Sequence, residues 1–226
     1  YGSSITQGGC VSRPANSYAN ILCRAFDADC CNYGFSGSGM GELCVAEHIA
    51  SRDLACFVMD YDYNAPSDEH LKATHEPFFK LIREKNPDLP VVFVTHPFFE
   101  PKKEFDTRRI EIIRETYDNA VKAGDKKVYF VDSTVFFSDE MRDLYSVDNL
   151  HPNDLGQMKM AETLYPVVKK LCEAVSRLTL TLDSVKKENN TYAFDDILMI
   201  SFALSVTIRL YVYSNIKVQG MCTSLF

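Results

Sequence analysis

The chain is short of positive charge. Lysine and arginine number 24 against 31 aspartates and glutamates, giving a net charge of −7. No basic run with interleaved aromatics occurs. Nucleic-acid binding needs a basic face to neutralise phosphates, so that partner class is excluded. Paired cysteine motifs are missing too. Cys10, Cys23, Cys30, Cys31, Cys44, Cys56, Cys172 and Cys222 form no Cys-x-x-Cys pair and stand at no zinc-finger spacing from histidine. Cys23, Cys56 and Cys172 lie in apolar runs, where a free thiol behaves as a small hydrophobe. We therefore expect a reducing, cytoplasmic setting, no disulfide framework and no bound metal.

A phosphate cradle is lacking as well. Gly37-Ser38-Gly39-Met40-Gly41 has no Lys-Ser/Thr ending, and no dinucleotide fingerprint occurs, so no cofactor is expected. Membrane association is not expected either. The apolar stretch 197–213 is interrupted by Arg209 and falls short of the roughly 20 residues a spanning helix needs. Three readings of that stretch stay open: a helix packed on the domain, a weak anchor, or sequence foreign to the domain, which we favour. No signal peptide is visible. The chain opens without Met inside a motif, so a strand leading into Gly2 is expected to be largely missing.

What is present is ordinary globular material: 226 residues, 46% of them hydrophobic. That suits one domain with an appendage, which we place at 1–176 and 177–226. Residues 17–28 carry apolar side chains at helical spacing (Tyr18, Ile21, Leu22, Ala25, Phe26). Residues 29–35 read as a short strand, 42–51 as a helix, and 54–60 as a buried strand. A helix capped by Ser67 runs to about residue 85, with Pro77 expected to kink or interrupt it. Residues 90–96 form the next strand. A helix at 105–123 follows, with Ile110, Ile113, Tyr117 and Val121 as its apolar face. Then come a strand at 127–132, a short helix at 138–145 and a closing helix at 154–177 lined by Met160, Leu164, Val168 and Leu171. Beyond it, 178–182 alternates Thr and Leu, and 186–191 is a polar break. Strands alternating with helices indicate an α/β fold with a parallel sheet, whose functional groups gather at the carboxyl ends of the strands.

The chemistry sits in four blocks. Gly2-Ser3-Ser4-Ile5-Thr6 places a serine on a tight turn before a helix, a common way to present a nucleophilic hydroxyl. Asp148-Asn149-Leu150-His151 supplies a base and, three residues away, a carboxylate able to orient it. The following Pro152-Asn153-Asp154 braces the loop and caps the last helix. Asn32-Tyr33-Gly34-Phe35-Ser36-Gly37 ends on a glycine whose N–H can approach a ligand closely. Asn64, after the 54–60 strand, offers a side-chain amide. His48, His70 and His75 fall on helices and read as surface or packing residues. His96 is a candidate for the pocket rim, and Phe98-Phe99 or Phe136-Phe137 for an apolar acyl wall, although core packing fits the phenylalanines better.

These blocks, in this order, resemble the SGNH hydrolase superfamily, also called GDSL esterases/lipases, over about residues 1–175. The Gly-Ser-Ser-Ile-Thr form is similar to a bacterial branch. The resemblance implies Ser4 as nucleophile, His151 as base and Asp148 as its orienter. It also implies an oxyanion hole of the Ser4 N–H, the Gly37 N–H and the Asn64 amide. The implied fold is a flavodoxin-like three-layer α/β/α sandwich with a five-stranded parallel sheet. Two positions depart from the pattern: Ser3 replaces the Asp of Gly-Asp-Ser, and Asp62-Tyr63-Asn64 replaces Gly-x-Asn-Asp. The expected activity is hydrolysis of a carboxylic ester, with a short acyl group such as acetyl on a carbohydrate. A lysophospholipase or thioesterase, and a non-catalytic carbohydrate-binding module, remain as alternatives.

Overall fold

The computed structural model describes residues 1–97, 104–137 and 141–188, without the side chains of 104–106 and 172–188. Three parallel strands carry the fold, β1 (Phe57–Met59), β2 (Val91–Val94) and β3 (Val128–Val131), in the order β1-β2-β3. Phe57 pairs with Val91, and Val91 with Val128. β2 is the central strand, and all four of its residues are buried. A strand covered on both faces needs apolar side chains at every position, and Val-Val-Phe-Val provides them.

Gly2 adds two isolated parallel bridges, one to Gly34 and one to Asp60. The 29–35 segment is thus reduced to one rung rather than the expected strand. Its pairing partner there is Gly2, through a single parallel bridge at Gly34. Tyr1 still packs in the core, its ring stacked 4.7 Å from that of Phe78.

The helices are α1 (Ser4–Gln7), α2 (Tyr18–Ala25), α3 (Leu43–Ala50), α4 (Asp68–Lys85), α5 (Glu104–Lys122) and α6 (Asp154–Glu188). Ser17 and Ser67 cap α2 and α4, each accepting a hydrogen bond from the third residue on (Asn20 N–H, His70 N–H). α4 is not interrupted at Pro77, where a kink or an interruption was expected. Buried Leu71 and His75 before the proline, and Phe78, Phe79 and Ile82 after it, hold both halves against the core.

α5 bears out the sequence reading at Ile113, which is buried, and at Tyr117, which packs on the core, and corrects it elsewhere. Its buried stripe is Arg109, Ile113, Thr116 and Ala120, while Val121 is exposed. The helix is rotated so that a charged residue faces inward. Short single-turn 3₁₀ segments occupy Asp62–Asn64 and Arg142–Tyr145, the latter where a short helix was expected. α6 buries the expected Met160, Leu164, Val168 and Leu171, but its backbone runs to Glu188, past the expected end and through the 178–182 stretch. Tyr1–Leu171 is one compact unit and Cys172–Phe226 a second. The 197–213 stretch, Phe98 and Phe99 lie outside the described residues. Among the described residues no helix is long and apolar enough to cross a membrane.

Candidate active site

Ser4 is the first residue of α1, a single turn set just after the Gly2 bridges. Ser3 is buried, and its Oγ accepts from the Ile5 N–H at 3.1 Å. A hydroxyl thus does the capping that an aspartate also does well, which accounts for serine at this position. Gly2 is required by close approach. A Cβ built there would lie 1.8 Å from Asp60 Oδ1 and 1.9 Å from Thr6 Oγ1. Those two atoms are hydrogen-bonded to each other under the serine, and the Tyr18 hydroxyl donates to Asp60 Oδ2 at 2.7 Å. Burial pushes the Asp60 carboxyl up to about 6, against the opposing pull of these two donors.

The Ser4 turn is also held from the far end of the domain. Buried Gln157, on α6, donates to the Ile5 carbonyl at 2.9 Å and accepts from the Tyr18 N–H at 2.7 Å. Asp154, at the start of the same helix, accepts from the Ser12 N–H and the Asn16 amide. Sequence reasoning missed Gln157. The available signal was a polar residue standing in phase with Met160, Leu164, Val168 and Leu171 on one helical stripe.

Across from Ser4, residues 145–153 form a tight loop. Asn153 closes it, with its N–H on the Tyr145 carbonyl and its amide on the Leu144 carbonyl. The Asn153 side-chain oxygen also accepts from the Gly156 N–H, capping α6 as expected. Asn149 adopts φ 60°, a left-handed conformation that asparagine tolerates. The resulting turn aims the Leu150 and His151 N–H groups at Asp148 Oδ1, at 3.0 and 2.7 Å. Asp148 Oδ2 lies 2.7 Å from His151 Nδ1, and His151 Nε2 lies 2.9 Å from Ser4 Oγ. A carboxylate only accepts, so the proton sits on Nδ1 and Nε2 is left to accept from the serine hydroxyl. Partial burial would raise the Asp148 carboxyl, but the His151 N–H, the ring and the Leu150 N–H outweigh it and hold the group below the usual carboxylate range.

Gly37 and Asn64 lie on two loops that touch. The Phe35 carbonyl accepts from the Asn64 amide at 2.8 Å and from the Ser38 and Gly39 N–H groups, each at 3.1 Å. Gly37 has φ 64° with no atom near its missing Cβ. Glycine is therefore required there by backbone conformation and not by crowding. The structure thus brings Ser4, His151 and Asp148 into one hydrogen-bonded row, and Gly37 and Asn64 into one loop pair.

A model of the GDSL-like lipase/acylhydrolase family matches residues 1–169. The chain belongs to that family. Its members are ester hydrolases. A candidate GDSL-like lipase from Bacteroides ovatus is similar, at 32% identity and a TM-score of 0.69, over 76% of this chain and 52% of its own. A family two carbohydrate esterase from Clostridium thermocellum, solved with cellohexaose, shares the fold at 19% identity and a TM-score of 0.61, over 75% of this chain and 62% of its own. So does a two-domain esterase active on acetylated mannans, at 22% identity and a TM-score of 0.51, over 75% and 48%. The chain spans about half to three-fifths of the length of these relatives. A search of curated proteins finds no match.

Two departures from the GDSL pattern acquire reasons. Ser3 is a cap, as above. Asp62 is buried and paired with His96, Oδ2 to Nδ1 at 2.6 Å, and the His96 N–H donates to the same oxygen at 3.2 Å. His96 is therefore an interior partner of the Asn64 turn and not a pocket-rim residue. Its ring packs 4.6 Å from that of Tyr63. Phe136 and Phe137 are fully buried, which makes them core and removes them as an acyl wall. Cys23 and Cys56 are only half-buried, so neither is the interior thiol expected.

Among the described residues no three His, Cys, Asp or Glu side chains are arranged to hold a metal. A depression of about 590 Å³ between α4 and α5 borders none of the site residues. The charges in its wall are matched to one another, Lys80 to Glu76 and Arg83 to Asp125.

Proposed function

We propose that this chain is a serine esterase that works through an acyl-enzyme on Ser4. The observation carrying the proposal is the row of hydrogen bonds from Ser4 Oγ through His151 to Asp148, at 2.9 and 2.7 Å. A hydroxyl is a poor nucleophile at neutral pH until a neutral imidazole takes its proton. As Ser4 Oγ attacks the ester carbonyl carbon, its proton passes to His151 Nε2. Asp148 stabilises the imidazolium without itself taking the proton. The negative charge on the carbonyl oxygen is met by the Ser4 and Gly37 N–H groups and the Asn64 amide. One amide N–H of Asn64 goes to Phe35, and the second is the donor. Collapse expels the alcohol, which leaves with the proton from Nε2. Water then repeats the sequence on the acyl-enzyme and releases the acid.

The fold we assign is the flavodoxin-like three-layer sandwich, with residues 1–176 as the catalytic domain and 177–226 outside it. Supporting the sheet is the position of Gly2, bridged in parallel to both Gly34 and Asp60, which extends the strand order to five segments. For the substrate we propose a short-chain ester such as an acetylated carbohydrate, supported by the two carbohydrate-active esterases that share the fold. A longer acyl chain is the second reading. It is favoured by exposed Phe35, on the loop of Gly37, and exposed Val147, beside Asp148.

Intact-mass analysis after fluorophosphonate treatment tests the nucleophile. A single adduct, absent from Ser4→Ala, is expected. A folded protein that takes up no adduct would sink the esterase proposal and bring the carbohydrate-binding module forward. Rates on esters from acetyl to palmitoyl then separate the two substrate readings, and a maximum at long chains overturns the acetyl one.

A further inference from the structure

The turn that carries Asn64 is gripped from behind by a buried arginine. Arg109 comes from the inward face of α5 and is 1% exposed. Its Nη1 donates to the Asp62 carbonyl and its Nη2 to the Ala65 carbonyl at 2.8 Å. These two carbonyls flank Asn64 on either side. The Nε lies 3.3 Å from Asp68 Oδ1, at the start of α4. The Asp62 side chain is meanwhile held by His96 at the end of β2, and the Asn64 amide by the Phe35 carbonyl. The turn is therefore tied to α5, to α4, to the end of β2 and to the loop of Gly37.

Burying a guanidinium is costly unless nearly all its donors are met. The planar fork of arginine can meet two carbonyls of one turn at fixed spacing, which the single ammonium of lysine cannot. An oxyanion donor is effective when it is already in place before charge develops, because no reorganisation is then needed during the reaction.

The geometry points to Arg109 as the positioning residue for the Asn64 oxyanion donor. It never touches substrate. It fixes the backbone from which the Asn64 amide projects, so its contribution belongs to the step in which charge develops on the carbonyl oxygen. The inference rests on the role proposed above for Asn64.

The test is a double-mutant comparison with 4-nitrophenyl acetate as probe. Arg109→Lys is expected to lower kcat about 10- to 100-fold with KM changed less than about twofold, since loosening one donor should cost less than deleting it, about 10²–10³-fold. In an Asn64→Ala background, Arg109→Lys should cost less than about threefold more, because the donor it positions is gone. Asp68→Asn, which removes the carboxylate beside the guanidinium and leaves the buried fork, should show the same pattern more weakly. It stands in if Arg109→Lys does not fold. Equal losses in both backgrounds, or a folded variant with unchanged kcat, overturn the inference and leave the esterase proposal standing. An Asn64→Ala variant as active as the native chain, with Ser4→Ala inactive, overturns the role of Asn64 and this inference with it.

Discussion

Around Ser4 the supporting contacts are buried and join distant parts of the chain. Asp60 receives Tyr18 across 42 residues and Thr6 across 54, and Gln157 reaches Ile5 across 152. Around His151, apart from its bond to Ser4, the hydrogen bonds are local. Asp148 accepts from groups at most three residues away, and Asn153 braces the loop to Leu144, nine residues back. Exposure differs as well: Asp148 is 46% exposed and His151 24%, whereas Ser3, Thr6 and Gln157 are buried. Ser4 is placed by the cooperative fold, and His151 by a largely local loop. Changes on the first side should alter stability and chemistry together, and changes on the second should alter chemistry almost alone.

The largest effect belongs to the loop. His151→Ala is expected to cut kcat by about 10⁴–10⁶ and Asp148→Asn by about 10³–10⁴, the latter through the wrong imidazole tautomer. Thermal midpoints should move by less than about 2 °C; a fall beyond about 5 °C in either would break the contrast. On the other side, Gly2→Ala should destabilise by about 3 kcal/mol or more, because its Cβ would overlap the Asp60–Thr6 pair. Denaturant midpoints would show it, and an unchanged midpoint would mean that the elbow yields easily. Gln157→Ala should cost about 2–4 kcal/mol by leaving the Ile5 carbonyl and the Tyr18 N–H without their buried partner. Its kcat should fall about tenfold as the Ser4 turn loosens, and a drop in kcat with no loss of stability would place Gln157 with the loop instead.

Asp60 gives the smallest effect and a pH signature. Its carboxyl is raised to about 6 in the folded chain, chiefly by burial. Folding therefore favours the protonated form. That contribution is complete below about pH 4, the unfolded value, and is lost as pH climbs through 6. Asp60→Asn removes the dependence. The variant's stability relative to the native chain should rise by about 1–3 kcal/mol between pH 4 and pH 7. A pH-independent difference would show that Thr6 and Tyr18 compensate the burial in full.

Legibility in the sequence followed the same division. The loop was readable because its parts are adjacent: Asp148, His151 and the capping Asn153 fall within six residues. β1, β2 and β3 were readable as apolar runs, and the α6 stripe as a period. What stayed hidden was polar and long-range. The face of α5 was misread at Val121 and its polar members were missed, because the pattern assumes that apolar residues point inward, whereas there the buried positions include Arg109 and Thr116 beside the expected Ile113. No local pattern marks an arginine whose partners are main-chain carbonyls more than 40 residues earlier. His96 was misplaced for a related reason. Its partner Asp62 stands at a position where the family pattern offered no acid. The 29–35 strand failed because a strand is a property of a pair, and its pairing with Gly2 is a single bridge.

The bond from Ser4 to His151 closes 147 residues of chain. A ribosome releases the serine long before the histidine exists. Until the start of α6 has emerged and docked, neither His151 nor Gln157 can reach the Ser4 turn. On the proposed mechanism, reagent uptake at Ser4 counts only finished molecules, which would make it a direct assay of yield in any refolding or expression experiment.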